Sequence, residues 1–135
     1  MIEKKFTFHI TVNGIRLLTV FFIFGGYKMK FSSLNKAIFN EFELPENAVI
    51  ADLGCRDAAF LLGFVQAFPG KIKTAIGVDI NDKGFKNIKY EKPIKLKVMN
   101  CAKKLKFKDN TFDLVFTKDM FECVPDKEFL VREIH

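Results

Sequence analysis

Two rhythms of apolar and polar residues divide the chain. Near its start Phe6, Phe8, Ile10 and Val12 alternate with Thr7, His9 and Thr11, the period of two that gives a strand one apolar face. Asn13-Gly14 then interrupts before a second β-prone run, so residues 5–24 read as a hairpin turning on Asn-Gly. The competing reading is an irregular extension, with the domain beginning at Met29. Next, in "SSLNKAIFNEFEL", Leu34, Ile38 and Phe42 recur at a spacing of four behind Ser32 or Ser33 as N-cap, which predicts a short amphipathic helix. Pro45 in "LPEN" ends it.

From residue 49 onward, buried strands and helices alternate. "AVIADLG" is a nearly continuous apolar run, "DAAFLLGFVQAF" has helical spacing and stops at Pro69-Gly70, and "TAIGVDI" is a second buried strand. Strand, helix, strand implies a right-handed parallel crossover. "IKLKVMN" differs, because Lys95 and Lys97 alternate with Ile94, Leu96 and Val98. A fully covered strand would not tolerate these lysines, whereas an edge strand uses them against unwanted pairing. "TFDLVFTKD" supplies a fourth buried strand. "DKEFLVREIH" begins a helix with Asp126 as cap, Phe129 and Leu130 inward, and Ile134 following Leu130 at a spacing of four.

Composition narrows the class. At 135 residues and 49% hydrophobic content the chain holds one domain with a real core. The net charge is +6, and residues 83–108 carry ten lysines against the single acid Glu91. This stretch reads as a solvated face that keeps a Phe-rich protein in solution; an anionic partner such as nucleic acid is the alternative. Cys55, Cys101 and Cys123 form an odd set without a C-x-x-C pair or a nearby histidine, which argues against a disulfide framework and structural zinc and suits a reducing cytoplasm. "LLTVFFIFGGY" is an uncharged run of only eleven residues, against the roughly 18 or more that a spanning helix needs. Nothing small and cleavable follows it, so it does not read as a signal peptide.

"VIADLGC", then "GVDI", then "VMNCAKKLKFKDNTFDLVFTKDMFECVPDKEFLVREIH" resemble the class I S-adenosylmethionine-dependent methyltransferases, in particular the methyltransferase type 11 group. The resemblance covers residues 45–135. It rests on the ordered set of motifs, with "FDLVF", "ECVPD" and "FLVREIH" the most specific. It implies a doubly wound, Rossmann-like α/β fold with a mostly parallel sheet over residues 29–135, preceded by an extension or hairpin over residues 1–28. In that fold, ligands bind beyond the carboxyl ends of the strands, where the strand order reverses. The resemblance therefore implies S-adenosyl-L-methionine as cofactor, held by Asp52, Gly54, Cys55, Asp79, Ile80, Cys101, Ala102 and Thr117. Gly54 would let the backbone turn close to the ligand. Asp52 matches the acid of the family's first motif, and Asp79 would accept hydrogen bonds from both ribose hydroxyls. In this family the "REIH" helix leads to a fifth strand and two more. The expectation here is thus a sheet truncated after the fourth strand, whose apolar edge is exposed and promotes self-association.

The sequence departs from the family at three points. Arg56 and Ala58 stand where the family favours glycine; with ordinary backbone angles Arg56 can point outward, and Ala58 adds a methyl near the cofactor. Cys101 replaces an acid that accepts from the adenine amino group, and a thiol is a poor acceptor. The backbone N–H of Ala102 is the family's donor to the ring. Cys123 replaces a frequent histidine and is given no role. A dinucleotide-binding enzyme would want glycines at positions 56 and 59, where Arg56 and Ala59 stand.

The expected reaction is methyl transfer from a sulfonium to a small-molecule acceptor. Positioning supplies most of the rate, and no fixed general base is required. Asp119 is the candidate for contacting the acceptor. The N/D-P-P-Y/F signature of amino-group methylation in nucleic acids is missing, so nucleic acid is the less favoured acceptor. A non-catalytic cofactor-binding or remnant domain is the alternative function.

Overall fold

The computed structural model describes residues 6–12, 15–21, 44–87, 92–118 and 120–134. Its centre is β3 (Ala48–Leu53), every residue of which is buried except Val49. Such a run suits a strand flanked on both sides, and β3 pairs in parallel with β4 (Ile72–Asp79) on one side and with β6 (Leu114–Lys118) on the other. Beyond β4 lies β5 (Ile94–Val98), also parallel, at the sheet's edge. Its Lys95 and Lys97 are exposed, as their alternation with apolar residues predicts for an edge.

The two described helices cover opposite faces. Helix α1 (Ala59–Ala67) buries Leu61 and Phe64 against Ile50, Ala75 and Phe116. There the Phe64 and Phe116 rings stack with centroids 5.0 Å apart, and Phe60 meets Phe116 edge-on at 5.4 Å. Helix α2 (Lys127–Ile134) buries Leu130 and Ile134 against Ala51, Leu53 and Val115. Asp126 caps it as expected, its Oδ1 accepting from the Phe129 N–H at 2.8 Å. Because consecutive residues of β3 point to opposite faces, Ile50 and Ala51 serve one core each. The chain leaves β3 toward β4 on one side, and β6 lies on the other. Their junction is the point of reversal that a doubly wound sheet offers to a ligand.

The N-terminal segment forms β1 (Phe6–Val12) and β2 (Ile15–Phe21), antiparallel and in register from Phe6 opposite Phe21 to Val12 opposite Ile15. This is the hairpin that Asn13-Gly14 implies. Its place corrects an expectation. The edge of β6 is not exposed, because β2 pairs with it in parallel from Arg16 opposite Leu114 to Val20 opposite Lys118. The sheet therefore has six strands in the order β1-β2-β6-β3-β4-β5, and the edge on that side is β1. The segment expected as an extension belongs to the same sheet as the rest. The helix expected around Leu34, Ile38 and Phe42 lies outside the described residues. Among the described residues no helix is long and apolar enough to cross a membrane.

Candidate functional site

At the carboxyl end of β3 the backbone turns at Gly54, whose φ of +78° is one that a side chain disfavours. The N–H groups of Gly54 and Cys55 both donate to the Val78 carbonyl, at 2.7 and 2.9 Å, which ties the turn to the end of β4. A Cβ at Gly54 would lie 2.5 Å from both Cβ and Cγ of Met120, so the segment after β6 closes over this glycine. The turn is thus gripped from two sides.

The next residues hold the surprise. Arg56 and Ala58 have φ of +54° and +56°, so both glycine-type positions keep a glycine-type backbone while carrying side chains. The expectation of ordinary angles at Arg56 is corrected. Left-handed backbone costs a residue with a Cβ roughly 1–2 kcal/mol, and specific bonds offset it. The Arg56 N–H donates to Asp79 Oδ2 at 2.9 Å, and the Ala58 N–H donates to the Cys55 carbonyl at 2.7 Å. Asp57 Oδ1 accepts from the Ala59 N–H at 3.1 Å, which secures the first turn of α1. Gly84, in the 3-10 turn Lys83–Asn87, packs against the Arg56 peptide, and a Cβ there would meet the Arg56 carbonyl oxygen at 2.6 Å.

Two adjoining spaces result. A cleft of about 540 Å³ is lined by Arg56, Asp57, Asp79, Asn81 and Gly84. A smaller one of about 200 Å³ is lined by Asp52, Gly54, Cys55, Arg56, Asp57, Ala59 and Phe60. They share Arg56 and Asp57. Of the residues expected at the cofactor, Asp52, Gly54, Cys55 and Asp79 line these spaces. Ile80 projects at the end of β4, 63% exposed. Cys101 and Thr117 are buried close to the strand ends without lining either space, and Thr117 Oγ1 makes no hydrogen bond among the described residues. Ala102 is exposed, and its N–H already donates to Asn100 Oδ1 at 2.9 Å. Asp119 lies outside the described residues. A third cavity of about 290 Å³, beside Leu105, Phe112 and Ile134 on the α2 side of the sheet, contains none of the expected residues.

Sequence reasoning passed over Asp57, Asn81 and Gly84. The signal was available for Asn81, which directly follows "GVDI"; its side-chain oxygen accepts from the Lys83 N–H at 3.0 Å and shapes the cleft wall. Val98, in register with Asp79 and 59% exposed, adds a second uncovered apolar side chain to Ile80 at the same end of the sheet.

Burial, with Asp52 and Asp79 adding to it, pushes the Cys55 thiol up to about 12. Burial and Asp79 push Cys101 up to about 11, with a hydrogen bond from the Gly54 backbone opposing. Burial thus disfavours the thiolate at both positions. Among the described residues, three carboxyls, one guanidinium and the Phe60 ring line the two spaces.

A family model described as "Methyltransferase domain" matches residues 51–135. Among solved structures, a chain in the complex of the Haloferax volcanii Trm112 methyltransferase activator with a putative methyltransferase is similar over 77% of this chain and 49% of its own. It is 18% identical, with a TM-score of 0.63. A putative methyltransferase from an antibiotic biosynthesis pathway of Anabaena variabilis is 16% identical over 76% of this chain and 40% of its own, with a TM-score of 0.65. An S-adenosylmethionine-dependent methyltransferase from Mesorhizobium loti is 21% identical over 74% of this chain and 45% of its own, with a TM-score of 0.61. The chain thus spans less than half the length of these three structures. No curated protein matches it.

Proposed function

The chain belongs to the class I S-adenosylmethionine-dependent methyltransferases, type 11 group, and from that premise we propose that it binds S-adenosylmethionine across the Gly54–Asp79 cleft and serves methyl transfer to a small-molecule acceptor. The observation that carries the reading is the pinned turn: Gly54 held on the Val78 carbonyl and Arg56 held on Asp79 Oδ2. Together they aim a carboxylate into an open cleft at the point where the strand order reverses.

The residues divide the work by chemistry. Asp79 is half-buried; its Oδ2 is engaged by Arg56, and its Oδ1 lies 3.4 Å from the Asn81 nitrogen, a long contact that leaves acceptor capacity for a ribose hydroxyl. Ile80 and Val98 offer apolar surface to a purine. Asp52, 1% exposed at the wall of the smaller space, is the carboxyl nearest to where the ammonium of the amino-acid part would lie. When bound, the sulfonium supplies the activated methyl group, and the protein's part is to position both reactants and exclude water. No step requires a side chain of this chain to become covalently bonded. A small acceptor is preferred to nucleic acid because the chain lacks the N/D-P-P-Y/F signature of amino-group methylation in nucleic acids.

A second reading, cofactor binding without transfer, draws on the adenine side, where Cys101 is a buried neutral thiol and the Ala102 N–H is satisfied internally. Calorimetric titration of the folded chain with S-adenosylhomocysteine tests both readings, and transfer of labelled methyl to a panel of small acceptors separates them. Binding is expected. A folded chain that takes up neither S-adenosylhomocysteine nor S-adenosylmethionine at millimolar concentration would refute both.

A further inference from the structure

Arg56 is the residue that the fold leaves unexplained. Both left-handed non-glycine residues of the turn depart from the backbone that a side chain prefers, and such departures gather where a site needs them. For Ala58 the compensation is visible, since it is fully buried and packs in the core beneath α1. Arg56 has no such return. Its side chain is exposed, and among the described residues its guanidinium makes no ion pair, although Asp57 and Asp79 line the same cleft. Its N–H bond to Asp79 would serve equally with glycine at this position. What glycine would lack is the guanidinium.

That guanidinium has a particular place. Among the described residues, Arg56 lines both spaces and is the only cationic residue lining either of them; the other ionisable groups described there are Asp52, Asp57, Asp79 and the neutral thiol of Cys55. A ligand spanning the two spaces therefore meets acid on both sides and one cation at their junction. S-adenosylmethionine has a single anionic group, the carboxylate of its amino-acid part, while its ammonium and sulfonium are cationic and its adenosine neutral. We propose that the Arg56 guanidinium binds the carboxylate of the cofactor, leaving its ammonium to the acidic wall of the smaller space. The inference rests on the cofactor reading above. Arginine suits the task because its planar fork can give a carboxylate two parallel hydrogen bonds, which no other side chain matches.

The test compares three ligands on the full chain and two variants by calorimetric titration, with circular dichroism to verify folding. S-adenosylhomocysteine carries the carboxylate. Its decarboxylated analogue keeps only the ammonium, and 5′-methylthioadenosine lacks the amino-acid part. Arg56→Gln should weaken S-adenosylhomocysteine about tenfold or more, the scale for losing hydrogen bonds between charged groups. It should leave the other two ligands within about twofold, since they have no carboxylate to lose. Arg56→Lys should recover part of the loss. If Arg56→Gln weakens all three ligands alike, or none of them, the carboxylate role is overturned while the cofactor reading stands. If the parent binds none of the three, both fall together.

Discussion

Asp79 is predicted to hold the nucleotide turn as well as the ribose, and two substitutions separate the tasks. Asp79→Ala removes the acceptor for the Arg56 N–H, now paired at 2.9 Å, and the long 3.4 Å contact with the Asn81 N–H. A hydrogen bond to a charged group contributes about 1.5–3 kcal/mol. Only one of these two is short and Asp79 is half-buried, so the loss should lie near the lower end, about 1–2 kcal/mol, by urea unfolding. Asp79→Asn keeps a carbonyl oxygen that can accept from Arg56, so it should stay within about 0.5–1 kcal/mol of the parent. Binding should divide differently. Both variants lose the charged acceptor, and both should lose about tenfold or more in affinity for S-adenosylhomocysteine. Alanine is then weak for two reasons and asparagine for one. If Asp79→Ala unfolds at the same urea concentration as the parent, the carboxylate does not hold the turn. If both variants stay folded and bind like the parent, the cleft is not the cofactor site.

The remaining predictions concern the thiols and the hairpin. The folded values of Cys55 and Cys101, about 12 and 11, lie above the ordinary 9.0. Their contribution to stability is therefore complete below pH 9 and is lost as pH rises toward 11–12, at up to about 1.4 kcal/mol per pH unit for each group. Urea unfolding between pH 8 and 11 should show this decline, and it should be shallower in Cys55→Ala/Cys101→Ala; equal slopes would refute the burial argument. Leu18→Pro removes a backbone donor from the middle of β2, opposite Phe116. By hydrogen exchange the alternate amides of Leu114–Lys118 that face β2 should lose protection, and sedimentation should show self-association through the bared edge; unchanged protection and a monomer would mean that β2 does not cap β6.

The parallel core was legible because burial on both faces leaves a continuous apolar run, as in "AVIADLG", and because lysines in "IKLKV" are affordable only at an edge. The hairpin was legible too, since its turn and its alternating residues are neighbours in sequence. Its docking site was not. Period-two alternation specifies which face of a strand is apolar, but the choice of neighbour rests on contacts such as Arg16 with Leu114, far apart in the chain. At the site, Gly54 and Asp79 stood out by type and position. The left-handed Arg56 and Ala58 did not, because side-chain propensity predicts the opposite and only the closed network of bonds around them overrides it. The engagement of the Ala102 N–H could have been read, since Asn100 two residues earlier is the residue type that folds back on such a donor.

The position of the hairpin bears on the site through β6. Helix α2 leaves β6 along the face opposite α1, and a right-handed crossover from it leads to the slot beside β6 on the side away from β3. In this chain a strand from the other end of the sequence, β2, stands in that slot and runs parallel to β6. It gives β6 a second ladder. Met120, two residues beyond β6, lies against Gly54, so the segment that follows the strand steadied by the hairpin closes over the Gly54 turn. Gly54 is then held from one side by the Val78 carbonyl of β4 and from the other by the continuation of β6. A loss of order in β6 would free the second support while leaving the first. The turn would keep its hydrogen bonds to β4 but lose the packing that fixes its distance from the strand beside it. Through β6 the hairpin is in this way part of what keeps the cleft in shape.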